Sequence, residues 1–375
     1  MQKQKPSQSE SGKENRLKSF FGGLLMFSIS IIIGLLIGEG IIRLLYKKEM
    51  VLFPRYHTDA VYGDFKIRRV RPEMTFTHTS YDGTFHFKTN NKGFRNDKNI
   101  DYKKEPGEIR VIALGDSHTQ GYEVNQNETF SSVAEKMLNK NGLKGTVINA
   151  GVSGFSTAEE LVFLENEGYK YKPDYVVVAL FGNDFEDNMR SDLFELRGDS
   201  LLVKNHEYIP GVSIQNKLYK YGIFRWLGEK SYLYGFAFNT VWDFYKKQNQ
   251  KAAAGKDTEL AIASNANTKY SEELMKKLIS RFYTYCKAQG IKLIIIDIPQ
   301  LDPDAPAKSS ISKNMVSDVK NNCDTLFNYD NMISDYSKLS LIHVKSGHRH
   351  ISAETHKMMG QKISEYILSD QQAVN

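Results

Sequence analysis

Cysteine is nearly absent from this sequence: of 375 residues only Cys286 and Cys323 carry a thiol. No Cys-x-x-Cys pair and no Cys/His zinc spacing occurs, which excludes a disulfide-stapled scaffold and a structural zinc module. An extracytoplasmic chain could join the two thiols, but isolated cysteines are more often small buried hydrophobes. Charge of one sign is scarce as well, once position is considered. The formal net charge is +6, yet residues 1–48 hold eight Lys/Arg against three acids, leaving 42 basic against 41 acidic residues beyond them. The body of the chain therefore offers no basic surface for nucleic acid. No internal repeat is visible.

What the chain does have is one long uncharged run, Phe20 to Gly38, whose apolar character resumes after Glu39 through Tyr46. At about 1.5 Å per residue, nineteen helical residues approach the roughly 30 Å of hydrocarbon in a bilayer. The run is too long for the core of a cleaved signal peptide, and no Ala-x-Ala site follows it. It reads as a transmembrane anchor over residues 19–46. Five Lys/Arg precede the run while Arg43, Lys47 and Lys48 crowd its far end, a thin positive-inside bias that favours a short cytoplasmic tail, residues 1–18, and an extracytoplasmic body. That tail, rich in Ser, Gln and Lys, reads as disordered. Glu39 and Arg43, four apart, can pair on one helix face at the membrane edge.

Residues 49–106 contain alternating stretches such as Thr84-Phe85-His86-Phe87-Lys88 and a turn at Asn90-Asn91-Lys92-Gly93, a hairpin-bearing lead segment packed on the core instead of a domain of its own. From Arg110 apolar runs alternate with helical patterns. Strands are expected at 110–115, 146–150, 175–182 and 292–299, and helices near 129–141, 157–168, 271–288 and 352–368. Continuous β-branched runs separated by helices imply an α/β, doubly wound fold over residues 107–370, with a parallel sheet covered on both faces. An insertion at about 185–268 interrupts it. Its first part is dense in aromatics, among them Tyr221, Phe224, Trp226, Tyr232, Phe236 and Trp242, which could stack on sugars, form a small helical core, or rest on a membrane surface. Its second part, 246–268, reads as a Lys/Gln/Ala/Asn-rich linker.

Three strand ends carry residues that could do chemistry. Gly115-Asp116-Ser117 follows the first strand, where an open parallel sheet presents its ligands. Gly151-Val152-Ser153-Gly154 and Gly182-Asn183-Asp184 follow the next two. The backbone N–H of Gly154 and the amide of Asn183 could serve as preorganised donors to the oxyanion of acyl transfer. Each tripeptide alone is as readily a capping or turn sequence; three in succession point to one site. A serine hydroxyl needs a base, and His350, in Gly347-His348-Arg349-His350 before the last helix, is the candidate. The alternative, that His343, His348, His350 and His356 form a loose metal cluster, lacks supporting carboxylates apart from Glu354. No metal or cofactor is expected.

These blocks resemble the SGNH/GDSL hydrolase superfamily. Asn91-Lys92-Gly93-Phe94-Arg95, Val147-Ile148-Asn149-Ala150-Gly151 and Pro173-Asp174 are further similar to its membrane-anchored bacterial branch. The resemblance covers residues 90–190 and 270–368 and implies a flavodoxin-like, three-layer α/β/α fold with a five-stranded sheet. It implies Ser117 as nucleophile, His350 as base, and Ser117 N–H, Gly154 N–H and Asn183 as oxyanion donors. One departure stands out: the family usually places an aspartate three residues before the histidine, and here that residue is Gly347. A carboxylate from elsewhere, a backbone carbonyl or His348 would have to hold the imidazole. The expected function is an extracytoplasmic serine esterase acting on O-acyl, chiefly acetyl, groups of envelope carbohydrate. The alternatives are an O-acetyltransferase, a lipase with a large apolar groove, and a non-catalytic membrane-tethered module of polysaccharide machinery. The expected partners are an acylated carbohydrate or small ester, the membrane, and no nucleic acid.

Overall fold

Along each central strand, side chains alternate between two apolar clusters, because successive Cβ atoms of a strand point to opposite faces. In the computed structural model, which describes residues 8–254 and 264–374, Val111 and Ala113 enter one cluster while Ile112 and Leu114 enter the other. Val177 and Val178 divide in the same way, as do Ile294 and Ile295. Near-continuous Val/Ile runs are what a sheet buried on both faces requires.

The elements follow in chain order. A helix α1 (Gln8–Tyr46) leads into hairpins β1 (His57–Tyr62) with β2 (Phe65–Val70) and β3 (Thr75–Thr79) with β4 (Thr84–Lys88). Then come β5 (Glu108–Leu114), α2 (Ser117–Gln120), α3 (Phe130–Lys140), β6 (Lys144–Asn149), α4 (Thr157–Asn166), β7 (Tyr175–Leu180) and α5 (Asp184–Ser191). The insertion holds β8 (Phe194–Arg197), β9 (Ser200–Val203), β10 (Glu207–Tyr208), α6 (Val212–Tyr219), α7 (Gly222–Lys230) and α8 (Tyr232–Ala254). The chain closes with α9 (Ser264–Ala288), β11 (Lys292–Asp297), α10 (Lys313–Asn321), β12 (Thr325–Phe327), α11 (Ile333–Tyr336) and α12 (Ala353–Val374). The main sheet runs β12-β11-β7-β5-β6, all parallel, the flavodoxin-like order with its switch point between β5 and β7. Helices α3 and α12 pack together on one face, and α4, α9 and α10 lie on the other.

The lead segment shares the core of the sheet. Tyr56, Ile67, Phe76, Phe87 and Phe94 belong to the same cluster as Ile112, Leu114 and Ile148. Each such side chain, fully buried, contributes roughly 1.5–3 kcal/mol. Strand β10 of the insertion pairs with β2, so lead segment and insertion complete one small sheet.

Two expectations change. Residues 8–18, read as part of a disordered tail, continue α1, because a helix already nucleated by the apolar run propagates through neighbours of good propensity at little cost. Residues 246–254 and 264–268, read as linker, extend α8 and α9; in 246–254 Lys, Gln and Ala are strong helix formers, while Ser264 to Thr268 continue a helix nucleated by the amphipathic stretch after them. Residues 255–263 and 1–7 lie outside the described residues. Both cysteines are buried and unpaired, and burial pushes each thiol up to about 12.

Burial favours the neutral ring at five histidines: His57, His78 and His118 lie well below their ordinary range, His343 lies below it, and His356 falls to about 3. A folded state that refuses a proton the unfolded chain accepts is fully stabilised above about 6.5 and loses that stability as the pH falls. The advantage of the wild-type protein over His356→Gln is accordingly expected to shrink by roughly 2 kcal/mol between pH 7 and pH 4.5, by chemical unfolding at the two pH values. A constant difference would contradict the assignment.

Candidate active site

The carboxyl ends of β5, β6 and β7 deliver the three loops read from sequence to one end of the sheet. Strand β5 ends at Leu114, and Gly115-Asp116 turns the chain so that Ser117 opens the one-turn helix α2. Asp116 caps that turn, its Oδ1 accepting from the His118 N–H at 2.8 Å. Burial raises the Asp116 carboxyl above its ordinary value. The next loop must come very close: a Cβ on Gly151 would collide with the backbone of Gln120, so only glycine fits there.

Ser117 and His350 meet. The serine hydroxyl donates to Nε2 of His350 at 2.8 Å, across a separation of 233 residues. The other imidazole nitrogen, Nδ1, lies 3.1 Å from Oε2 of Glu123, whose side chain is fully buried. A carboxylate at Nδ1 holds the proton on that nitrogen and leaves Nε2 free to accept. Glu123 also accepts from the N–H groups of His348 and His350, each at 3.3 Å, so it organises the loop as well as the ring.

Glu123 is the residue that sequence reasoning missed. It stands six positions after Ser117, in the loop that follows α2, with φ of +61°. This is an uncommon conformation for a side chain larger than Asn or Asp, and it is held by its surroundings. Arg95 does the holding. Its guanidinium donates to the carbonyls of Gln120 and Val124 at 2.8 Å and to that of Gly121, with the Phe87 ring 3.5 Å away. Arg95 is 1% exposed, and burial lowers it to about 9. Replacing Arg95 by Ala leaves those carbonyls without donors, at a cost of roughly 1–3 kcal/mol for each that stays unsatisfied. Arg95→Ala is therefore expected to lower the thermal midpoint by several degrees and to weaken any activity that depends on Glu123. An unchanged midpoint would contradict this bracing role.

Gly347 now has a physical reason. It adopts φ of +64°, and a Cβ there would strike Oε1 of Glu123. The family's usual aspartate position is occupied in space by a carboxylate from another loop. His348, weighed as a partner for His350, has its ring centroid 5.8 Å from that of His350, and Nδ1 faces Glu123 instead. The histidines also do not act as a cluster. His343 Nε2 faces the Pro299 carbonyl at 2.8 Å, and His356 Nδ1 accepts from the Phe130 N–H at 3.2 Å. Among the described residues, no three His, Cys, Asp or Glu side chains are placed to share a metal ion.

The donor side is less ready. Asn183 lines the site, but its amide donates to Asp187 at 3.0 Å and Asp116 at 3.3 Å. Gly154, with φ of +74°, is not among the described residues lining the cleft, and its carbonyl accepts from Arg68. Arg68 in turn pairs with buried Glu159 at 3.1 Å, which tethers this loop to the lead segment. The cleft measures about 480 Å³. Gln300, His343, His348 and Arg349 line it beside the catalytic candidates, together with Phe181 and Leu301, and somewhat more of the open lining is apolar than polar.

Solved structures similar to this chain include a psychrotrophic esterase, EstA, from Pseudoalteromonas sp., at 14% identity and a TM-score of 0.38, covering 70% of this chain and 99% of that one. An acetyl-xylooligosaccharide esterase from Geobacillus aligns at 10% identity and a TM-score of 0.39, over 68% of this chain and 93% of its own. An acetyl xylan esterase aligns at 13% identity and 0.36, over 69% and 100%. No curated protein matches the sequence. The sequence profile of the GDSL-like lipase/acylhydrolase family matches residues 113–312, which include Ser117, Gly154 and Asn183 and stop short of His350. That match spans more than half of the chain, and with the parallel five-stranded sheet it shows that the protein belongs to the GDSL-like lipase/acylhydrolase family, the SGNH hydrolases.

Proposed function

We propose that the protein is a serine esterase that removes short acyl groups, chiefly acetyl, from carbohydrate at the outer face of a membrane. The observation that carries this reading is the hydrogen-bonded series Glu123, His350, Ser117, with contacts of 3.1 and 2.8 Å, at a cleft that Ser117 and His350 both line. Ser117 Oγ attacks the ester carbonyl carbon while its proton passes to His350 Nε2, and Glu123 stabilises the imidazolium that results. The carbonyl oxygen becomes an oxyanion. The Ser117 N–H, the Asn183 amide once released from Asp116 and Asp187, and the Gly154 N–H after movement of its loop are the donors assigned to it. The C–O bond to the sugar breaks, the proton on Nε2 goes to the departing alkoxide, and an acyl-enzyme remains on Ser117. Water, deprotonated by His350, then cleaves that ester and restores the serine.

Gln300, His348 and Arg349 offer hydrogen-bond partners to a sugar beside the reacting ester, whereas a long acyl chain would need an extended apolar groove, and the apolar side chains at this cleft are Phe181 and Leu301. A non-catalytic module was attractive while no carboxylate stood behind His350. Glu123 in that place favours catalysis over a binding module. The α1 helix, with Arg16–Tyr46 long and apolar enough to cross a membrane, supports the membrane location.

The test uses the full-length protein in detergent with p-nitrophenyl acetate, p-nitrophenyl palmitate and an O-acetylated polysaccharide. Acetate release from the polysaccharide, and a kcat/KM for the acetyl ester at least a hundredfold above the palmitoyl ester, are expected. Preference for palmitate would overturn the short-acyl reading, and acetyl transfer to an added oligosaccharide in place of water would make the protein a transferase.

A further inference from the structure

The outer end of α1 is built into the catalytic body. Glu39, the first charge after the nineteen-residue apolar run, does not face solvent alone. Its carboxylate accepts from Ser231 Oγ at 2.8 Å, from the Tyr232 N–H at 3.0 Å and from the Leu233 N–H at 2.9 Å, and so caps the first turn of α8. Arg43 pairs with Glu39 at 3.3 Å, donates to the Lys230 carbonyl at 3.4 Å and lies over the Tyr232 ring. A Cβ on Gly38 would touch Leu233, and Tyr46 meets Phe236 with ring centroids 5.1 Å apart. Five residues or so of α1 are thus fastened to the corner between α7 and α8.

That corner has a defined height. If residues 20–38 fill the hydrocarbon, Glu39 marks its outer boundary, and groups within about 5–8 Å of it lie among the headgroups. Helix α7 buries Gly228 against Phe53 and Pro54, and Glu229 accepts from the Thr77 N–H at 3.1 Å. Ile223, Trp226 and Lys230, spaced three and four apart, share the other face. Ile223 and Trp226 are each 57% exposed, and Tyr221 just before the helix is 62% exposed. Trp226 stands five residues, about 7.5 Å of helix rise, before Ser231, where Glu39 caps the corner. Exposed Trp and Ile on one face with Lys230 is the composition of an interfacial belt, with rings at headgroup level and a cation near phosphates.

We propose that the outward face of α7 sits in the headgroup layer of the bilayer that α1 crosses, so that the protein is seated on the membrane at a fixed height. The occupant of this face is lipid, because the face is continuous with a helix of membrane-spanning length. The seat extends to the active site. The Gly347 N–H donates to the Lys48 carbonyl at 2.8 Å, two residues beyond the end of α1, so the loop carrying His350 rests on the chain as it leaves the lipid. Resting on the esterase and anchor readings above, this makes the substrate an acylated glycan held at or moving along the bilayer surface.

The sequence has two tryptophans, so Trp242→Phe leaves Trp226 as the sole emitter in the full-length protein. It is placed in nanodiscs of phosphatidylethanolamine and phosphatidylglycerol with brominated acyl chains. At least a twofold loss of Trp226 emission relative to unbrominated lipid, together with weak quenching by aqueous iodide, is expected. Emission untouched by bromine and open to iodide overturns the seat. A companion with Trp226→Phe, Trp242→Phe and Ile33→Trp reports on α1 alone: bromine quenching there without quenching at residue 226 sinks the seat and leaves the anchor standing. Absence of quenching in both removes anchor and seat together. The ester assays decide the catalytic reading independently.

Discussion

Glu123→Gln lowers kcat/KM for p-nitrophenyl acetate by roughly 10³- to 10⁴-fold, on the scale of removing the orienting carboxylate in the serine-protease template. The substitution is nearly isosteric; the His348 and His350 N–H groups use different oxygens, Oε1 and Oε2, so the amide oxygen keeps one of these two weak contacts, each 3.3 Å, and gives up the other. What it removes is the negative charge 3.1 Å from Nδ1. The imidazolium formed as Ser117 gives up its proton then has no counter-charge in a buried site, where Coulomb interactions are weakly screened. The loss is expected in kcat with little change in KM, because Glu123 lies behind His350 and does not line the cleft. A change below tenfold would mean that His350 is oriented by something else.

The second large effect concerns Gly347. Restoring the aspartate usual in the family, Gly347→Asp, is expected to reduce activity at least as much as Glu123→Gln, although it adds the residue that the superfamily ordinarily uses. The new Cβ would strike Oε1 of Glu123, and the position requires φ of +64°, which costs an L-residue about 1–2 kcal/mol. A second carboxylate against a buried one adds like-charge repulsion. Removing the incumbent reverses the logic. Glu123→Ala with Gly347→Asp opens the space, and the double variant is expected to recover at least tenfold over Glu123→Ala alone. Such recovery is a coupling that two independent sites would not show. If the double variant is no better than the single, the two carboxyl positions are not interchangeable.

Most of the architecture could be read before any coordinates, and the reason lies in particular residues. The runs at 110–115, 175–182 and 292–299 alternate side chains into two apolar clusters, which is why each is continuously apolar and why the parallel sheet was legible. Ser117 and Asn183 were legible because they follow strand ends at one edge of the sheet, and His350 because it stands just before the last helix. Glu123 was not. Its role depends on a positive φ and on a loop held by Arg95, and both are tertiary facts. In sequence Glu123 is one acid in Gly121-Tyr122-Glu123-Val124, and the available signal was its company: a charge between Tyr122 and Val124, which are both buried. The motif Asn91 to Arg95 was noticed as a resemblance, but nothing local shows that its arginine reaches the loop after Ser117. The engagement of Asn183 by Asp116 and Asp187 is likewise invisible in a Gly-Asn-Asp tripeptide. The hairpin β8 with β9 escaped because its strands are four residues each, within a segment without strong periodicity.

The account depends on Ser117 being a nucleophile activated by His350. The most direct test is peptide mapping of the full-length protein after exposure to a fluorophosphonate probe. A single adduct on Ser117, absent in Ser117→Ala and at least a hundredfold slower to form in His350→Ala, is the predicted result. Adduct formation at the same rate in all three proteins, or none on residue 117 of the wild-type chain, would contradict it.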